Sequence, residues 1–334
     1  MLLRLSPTGR SQRRLLCSCA LAVGVQLASP VALTKSSADP LACAGLEAGP
    51  KRTVTRIIDG ETVTLDDGSQ LRLIGALAPR AIDVGAEPSL WPMEVAAREE
   101  LRALLVGRSI EIAYGGERTD RHGRLQAQVF WREDDKRHWA QGHMLEQGLA
   151  RAHTLAGNRA CATELLGAER TAREAKRGLW GEAAYQVRRA DRPSELARYS
   201  ATFQVVEGRI VRVAEVRGVI YLNFDADWRQ GFSVSLRRAD RNLLGEFAER
   251  PKALEGASVR VRGWIEQRLS PTIDLSSAGL IELENVGAGV GAIDPASARR
   301  TRRRPGTVEA PEPRPDPQAP DPKAKPPGLM EARR

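Results

Sequence analysis

Acidic and basic side chains of the types that bind metal ions and phosphate groups are concentrated in two stretches of the chain. Asp59 and Glu61 flank a glycine, and Arg72 and Arg80 follow within twenty residues or so. Arg124 ends a second, basic stretch. The planar guanidinium group suits bidentate contacts with phosphate, and carboxylates are ligands for hard cations. These residue types therefore point to chemistry on a phosphate group.

The elements that position these residues are predicted as strands. The alternation of apolar and polar residues predicts strands at Arg56 to Leu65, Gln70 to Arg80, Ile110 to Tyr114 and Leu125 to Phe130. The first two are joined at Asp66-Asp67-Gly68, with Gly60 inside the first and Pro79 closing the second, which predicts a twisted hairpin.

Three helices are predicted around these strands. They run from Met93 to Val106, from Trp139 to Gly148 and from Ala160 to Lys176. On the first helix the apolar face predicted to contact the strands is Val95, Leu101, Leu104 and Leu105, with Glu94, Glu99 and Arg102 in solvent. This order predicts a mainly β, α+β fold in which a five-stranded OB-type barrel is capped by three helices.

The motifs that carry the charged residues resemble those of the staphylococcal nuclease (thermonuclease) family. The family's markers are D-G-D-T, R-L-x-G-x-D-x-P-E and T-D-x-x-G-R, in this order. This chain has D-G-E-T from Asp59, R-L-I-G-A-L-A-P-R from Arg72 and T-D-R-H-G-R ending at Arg124. The resemblance spans about Thr53 to Trp180 and implies a calcium-dependent phosphodiester hydrolase acting on nucleic acid.

The resemblance assigns part of the catalytic machinery to matching residues. Arg72 and Arg124 correspond to the two phosphate-clamping arginines, and Asp59 and Glu61 to the carboxylates of the first motif. Glu61 replaces an Asp that ligates calcium, so the carboxylate remains but reaches one methylene farther. The implied catalytic set is thus Arg72, Arg124 and Glu61, with Asp59 and Glu61 as weak metal ligands.

Two substitutions remove other parts of that machinery. Leu77 occupies the position of the second calcium-ligating Asp, and an alkyl group cannot coordinate a hard cation. Arg80 replaces the Glu assigned as general base, and a guanidinium with a pKa above about 12 cannot accept a proton from water. Calcium is therefore expected to be held weakly or not at all.

Further positions of the family's nucleotide site also differ. His122 stands where a Tyr is expected, and Thr154 and Ala156 stand where nucleotide-contacting Tyr side chains are expected. His122 is interpreted as an exposed turn residue, with base stacking as the alternative.

Three functions remain open at this stage. The first is a phosphate-binding site formed by Arg72, Arg80 and Arg124, with nucleic acid or nucleotide as the partner. The second is an active nuclease with altered metal use, in which Asp83 or Glu87 replaces the missing ligand or base. The third is a non-catalytic scaffold of the cell envelope, in which the arginines are purely structural and Arg72 or Arg124 pairs with Asp59, Glu61 or Asp120.

Charge is concentrated at the ends of the 334-residue chain. Residues 1–34 contribute +4 and residues 296–334 contribute +5, which together account for the formal net charge of +9. Residues 35–295 are therefore neutral overall, so binding a polyanion needs a local basic patch. The scattered His and Cys residues make no zinc pattern, and no P-loop or dinucleotide fingerprint is present.

Residues 1–42 are predicted to be a signal peptide and leader. Four arginines precede an apolar run from Leu15 to Leu27, which is too short to span a bilayer. The protein is expected to be periplasmic or secreted, with no transmembrane segment in the mature chain; a retained signal-anchor is the alternative.

Cysteine usage agrees with export. Cys17 and Cys19 lie in the apolar run and would leave with it, so the mature chain would retain Cys43 and Cys161. A disulfide between them would close a long loop and stabilise the fold by roughly 3 to 5 kcal/mol. Two unpaired buried thiols are the alternative.

A second β-rich region follows the nuclease-like one. Its predicted strands lie in Phe203 to Val213, Val219 to Phe224, Phe232 to Leu236, Ser258 to Ile265 and Thr272 to Leu275. Five short strands suit a smaller OB-like barrel. The predicted domains are 43–182 (nuclease-like), 183–200 (polar, basic linker), 201–286 (OB-like) and 287–334 (disordered tail rich in Pro and Arg).

Overall fold

The computed structural model describes Cys43 and residues 45–80, 93–276 and 280–283. The predicted leader, the predicted tail, and Asp83 and Glu87 lie outside the described residues. No helix in the described part of the chain is long and apolar enough to cross a bilayer.

The helices and strands have the following bounds. The strands are β1 Glu47–Ile57, β2 Thr62–Leu65, β3 Gln70–Leu73, β4 Ala76–Leu77, β5 Ser109–Tyr114, β6 Leu125–Glu133, β7 Lys136–Trp139, β8 Arg151–Ala152, β9 Arg188–Arg189, β10 Phe203–Arg209, β11 Arg212–Val216, β12 Val219–Asn223, β13 Ser233–Arg237, β14 Ser258–Gln267, β15 Pro271–Asp274 and β16 Leu280–Leu283. The α-helices are α1 Glu94–Leu105, α2 Ala140–Glu146, α3 Ala162–Glu174 and α4 Pro193–Ala197. Short 3-10 segments cover Gly178–Gly181, Ala183–Tyr185, Arg238–Phe247 and Pro251–Leu254.

The first sheet closes into a five-stranded mixed barrel. Its strand order is β3-β2-β1-β5-β6-β7, and a parallel pairing of β3 with β6 joins the two sides. Alternate residues such as Val54, Leu71 and Val129 fill the interior and are completely buried. With α1, α2 and α3 beside it, this is the α+β barrel that the sequence predicted.

The predicted strand from Arg56 to Leu65 is in fact two strands with a tight reversal between them. The Asp59 carboxylate accepts a hydrogen bond from the backbone N–H of Glu61 at 2.9 Å, which stabilises the turn. A side chain at Gly60 would place its Cβ 2.6 Å from that of Ala78, so this close approach requires glycine. The reversal brings Glu61 back against the barrel.

The apolar face of α1 differs from the prediction at one residue. Ala97, Leu101 and Leu105 are completely buried, whereas Val95 is 58% exposed and was wrongly assigned to that face. The buried residues recur every fourth position along one stripe. Val95 lies two residues before Ala97, and two residues turn a helix by more than half a revolution, which directs Val95 to solvent.

The second sheet has the order β11-β12-β13-β15-β14-β10-β9, with β16 paired to β14. Each of the five segments predicted as strands overlaps at least one of these strands, with bounds that differ by up to a few residues. The segment 183–200, predicted as a linker, contributes β9 and α4, and its Tyr185 and Leu196 are buried. Their apolar side chains explain why this polar-looking segment packs against the sheet.

Buried charges connect the second sheet to helix α3. Arg262 of β14 is completely buried, and it contacts Glu169 of α3 at 2.6 Å and Glu282 of β16. Glu169 also accepts from the backbone N–H of Ala152 at 2.6 Å and pairs with Arg173 at 2.5 Å. Because each of these charges has partners, β14 and α3 pack together through a polar contact that leaves no isolated ion.

Cys43 and Cys161 are joined by a disulfide, with their Cα atoms 5.0 Å apart. The bond connects the segment before β1 to the residue that precedes α3. Both residues are buried.

Candidate functional site

Of the two arginines assigned from the motifs as phosphate clamps, Arg72 lies on β3 and Arg124 immediately precedes the neighbouring strand β6. In the parallel pairing of β3 with β6, Arg72 lies opposite Gln126, and Arg124 lies two positions before Gln126. The pairing of β3 with β6 thus brings the backbone segments that carry Arg72 and Arg124 beside each other although they are far apart in sequence.

Glu61 is the centre of a charged cluster that also contains Asp59, Arg72 and Arg80. Glu61 is only 1% exposed, and its Oε1 lies 3.0 Å from Arg72 Nη2 and 3.3 Å from Arg80 Nη1. Its Oε2 accepts a hydrogen bond from the backbone N–H of Ala78 at 3.3 Å. Burial of this carboxylate is therefore compensated by two guanidinium groups and a backbone donor.

Arg80 contacts both carboxylates that the resemblance assigns to the metal. Besides Glu61, its Nη1 lies 3.5 Å from Asp59 Oδ2. Leu77, at the other substituted position, is buried among apolar side chains that include Leu179 and Trp180. At the two substituted positions, Arg80 thus adds a guanidinium to the charged cluster, and Leu77 adds an apolar side chain to the core.

Arg124 forms a separate pair with Asp120. Its Nε donates to Asp120 Oδ2 at 2.7 Å, while Asp120 Oδ1 accepts from the backbone N–H groups of His122 and Arg124. Burial opposes ionisation of Asp120, but these hydrogen bonds outweigh it and keep the pKa of Asp120 below its ordinary value. Among the described residues, the two terminal nitrogens of Arg124 have no hydrogen-bond acceptor.

The three positions at which the resemblance implies nucleotide contacts differ in exposure. His122 is exposed, and its Nε2 accepts a hydrogen bond from Arg121 at 3.1 Å. Thr154 is buried and Ala156 is exposed. Neither offers an aromatic ring on which a base could stack.

Arg151, His153 and Arg159 belong to the surroundings of Arg72 and were missed in the sequence. His153 is completely enclosed; burial, followed by the positive charges of Arg72, Arg151 and Arg159, lowers its pKa from 6.5 to about 3. The pairing of β4 with β8 brings this segment beside the motifs, with Leu77 opposite Arg151. Such a non-local pairing leaves no short motif, so it gave no signal that sequence reasoning could use.

Arg159 also connects the first barrel to the second sheet. Its Nη2 donates to the carbonyl oxygen of Leu275 at 3.0 Å, and its Nη1 lies 3.4 Å from Thr154 Oγ1. Burial lowers the pKa of Arg159. Arg159 thus places a guanidinium beside Thr154, one of the positions at which the resemblance implies a nucleotide contact.

The described residues do not fit a calcium ion. Calcium takes about six to eight oxygen ligands. No group of three His, Cys, Asp or Glu side chains within the described ranges is placed to hold a metal ion. The two carboxylates of the charged cluster already contact Arg80, whose guanidinium would repel a second cation.

Comparison with known families agrees with the barrel topology and the motifs. The family model described as "Staphylococcal nuclease homologue" matches residues 70–182. The chain contains a staphylococcal nuclease homologue domain. The matched range of this nuclease-homologue domain includes Arg72, Leu77, Arg80 and Arg124, while Asp59 and Glu61 lie just before it. No curated protein matches the chain.

Proposed function

We propose that this protein binds phosphate groups of nucleic acid or nucleotides at its nuclease-homologue barrel, with weak or absent calcium-dependent hydrolysis. The observation that supports this is the position of Arg80, 3.5 Å from Asp59 and 3.3 Å from Glu61. A guanidinium remains charged at any pH at which proteins fold. Arg80, together with Arg72, therefore neutralises the carboxylates that a calcium ion would otherwise bind.

The proposed loss of hydrolysis follows from the chemistry of two side chains. Arg80 cannot take a proton from water, and Leu77 offers no ligand atom. Loss of a general base alone lowers a rate by about 10² to 10⁴. Loss of the metal would remove charge stabilisation of the transition state in addition.

Retention of phosphate binding is supported by Arg124 and by the surroundings of Arg72. Arg124 uses one nitrogen for Asp120, and its side chain is 23% exposed. Arg151 and Arg159 add positive charge close enough to His153 to lower its pKa. A local field of this kind attracts phosphate even though the folded body is neutral overall.

Export to the periplasm or the medium is part of the proposal. The apolar N-terminal run favours it, and the bond between Cys43 and Cys161 is of a kind that persists in oxidising compartments. Nucleic acid in the cell envelope or outside the cell would then be the available ligand.

A structural role for the same arginines is the second candidate. Arg72 and Arg124 each contact a carboxylate, as the scaffold alternative predicts, and Arg80 does so as well. In that case the ion pairs hold the barrel together and no phosphate binds. Removal of one arginine distinguishes the two candidates: it weakens phosphate binding in the first and lowers only the stability of the barrel in the second.

Titration of the exported protein with thymidine 3′,5′-bisphosphate, in chelator and at low salt, tests the proposal. Arg124→Gln should weaken binding about tenfold or more, because a hydrogen bond to a charged group contributes roughly 1.5 to 3 kcal/mol. Affinity should also fall with added salt. Arg121→Gln, on the same turn, is the matched control and should bind like the wild type.

Melting curves and a cleavage assay decide between the outcomes. A lower melting temperature for Arg124→Gln with no wild-type binding would support the structural role. Rapid, calcium-stimulated cleavage of single-stranded DNA by the wild type would instead establish a nuclease with altered metal use.

A further inference from the structure

A cleft of about 440 Å³ lies on one face of the second sheet, away from the nuclease-homologue barrel. Strand register places Arg212, Asn223, Ser233 and Thr272 in one row across β11, β12, β13 and β15. All four residues line the cleft. Four consecutive strands therefore present polar side chains at the same level of one face.

This row lies on the face opposite the hydrophobic core. The neighbouring residues Leu222, Val234 and Ile273 are completely buried in the core, and successive side chains of a strand point to opposite faces. Asn223 and Ser233 are nevertheless about as buried as core residues, at 6% and 5% exposure. Two loops cover them, which makes the outer face a cleft.

The loops bring large apolar groups to the rim of the cleft. Trp228, in the loop between β12 and β13, is 45% exposed, and Leu269, between β14 and β15, is 73% exposed. Ser270 Oγ donates to the carbonyl oxygen of Trp228 at 3.2 Å and connects the two loops. The Arg229 guanidinium lies 4.7 Å from the centre of the Trp228 ring, and the part of the indole that remains exposed offers aromatic surface for stacking.

The polar groups of the cleft have hydrogen-bonding capacity that the protein leaves unused. Asn223 Oδ1 accepts from Ser233 Oγ at 3.0 Å, and its amide NH₂ has no acceptor among the described residues. Arg212 forms no ion pair within the same residues. The cleft thus combines an aromatic surface, an amide donor in its floor and a cation beside it.

We propose that this cleft binds a base of single-stranded nucleic acid. The base stacks on Trp228, a base oxygen or nitrogen accepts from Asn223, and an adjoining phosphate contacts Arg212. The volume lies within the range of about 300 to 1,000 Å³ typical of small-ligand sites. An unpaired arginine favours an anionic ligand over a neutral sugar polymer.

Two fluorescein-labelled oligonucleotides of equal length test the inference with the exported protein. One is oligothymidylate and the other is abasic, so it retains the phosphates and lacks the bases. Wild type should bind oligothymidylate more tightly. Trp228→Ala should remove most of that difference, because the loss of base–aromatic stacking weakens binding by about 5- to 150-fold. Trp228→Phe should restore part of it.

A second pair of variants separates the phosphate contact from stacking. Arg212→Ala should weaken binding of both oligonucleotides, whereas Arg250→Ala, an exposed arginine outside the cleft, should change neither. Melting curves establish that the variants are folded.

The proposal for the cleft and the proposal for the nuclease-homologue barrel can be refuted independently of each other. If the barrel binds no phosphate, Arg124→Gln will have no effect, but the preference for oligothymidylate over the abasic strand will remain. Equal wild-type affinities for the two strands would overturn the cleft proposal, as would unchanged binding by Trp228→Ala. Displacement of oligothymidylate by an uncharged oligosaccharide, in a Trp228-dependent way, would also overturn it.

Discussion

Replacement of Arg262 by Met tests the buried contact between β14 of the second sheet and helix α3. Arg262 is completely buried with Glu169 and Glu282 as its charged partners. Burial disfavours the charged guanidinium, but the two carboxylates outweigh this and raise the pKa of Arg262. Arg262→Met leaves both carboxylates without this partner in a site closed to water. Breaking a buried ion pair by removing one partner costs about 3 to 5 kcal/mol.

Thermal unfolding, followed by circular dichroism and tryptophan fluorescence, measures this cost. For 150 to 250 residues, each kcal/mol lowers the melting temperature by about 2 to 4 °C, so a shift of roughly 6 to 20 °C is expected. Arg238→Met is the matched control, because Arg238 pairs with Glu215 at the surface of the same sheet. Exposed pairs contribute about 0 to 1 kcal/mol.

Equal stability of Arg262→Met and Arg238→Met would refute this reasoning. It would mean that water reaches Glu169 and Glu282, and therefore that α3 and β14 do not pack closely. Separate transitions for the two probes in wild type would contradict the contact as well, because elements joined through buried charges should unfold together.

Three further predictions concern the barrel and its disulfide. Because burial lowers the pKa of His153 from 6.5 to about 3, the unfolded state takes up the proton first, and stability should fall by about 1.4 kcal/mol per pH unit as the pH drops below 6.5. His153→Gln should flatten the stability curve between pH 6.5 and 3, and an unchanged slope would contradict the assigned pKa. Mass measurement after alkylation should find no free thiol at Cys43 or Cys161 in the unreduced exported protein; two modified thiols would rule out the bond there. Leu77→Asp combined with Arg80→Glu should create calcium binding measurable by calorimetry and some calcium-dependent cleavage; gain of neither would show that more than these side chains separates the site from an active one.

Local sequence patterns were sufficient for most of the first barrel. Alternation predicted β5 and β6, and helical spacing predicted α1 and α3 to within about two residues at each end. These elements depend on neighbours in sequence, so their signal is local. The errors came at Val95, which helix geometry directs to solvent, and at the turn that splits the first predicted strand, where Gly60 closely approaches Ala78.

The charged cluster could be predicted only in part. The motifs supplied its members, but not which carboxylate each arginine contacts. Arg72 contacts Glu61 because β2 and β3 fold back on each other, and Arg151 reaches the motifs through the pairing of β4 with β8. Contacts of this kind depend on the closed barrel and leave no pattern in the neighbouring sequence.

The central claim is that a tethered guanidinium takes the place of calcium beside Asp59 and Glu61. The most direct test is the affinity of the wild-type protein for thymidine 3′,5′-bisphosphate, measured by calorimetry with excess calcium and with chelator at the same ionic strength. The proposed arrangement predicts equal affinities, because Arg80 and Arg72 already neutralise the two carboxylates. Marked tightening by calcium would contradict it, because the ion would then have a site that Arg80 does not fill.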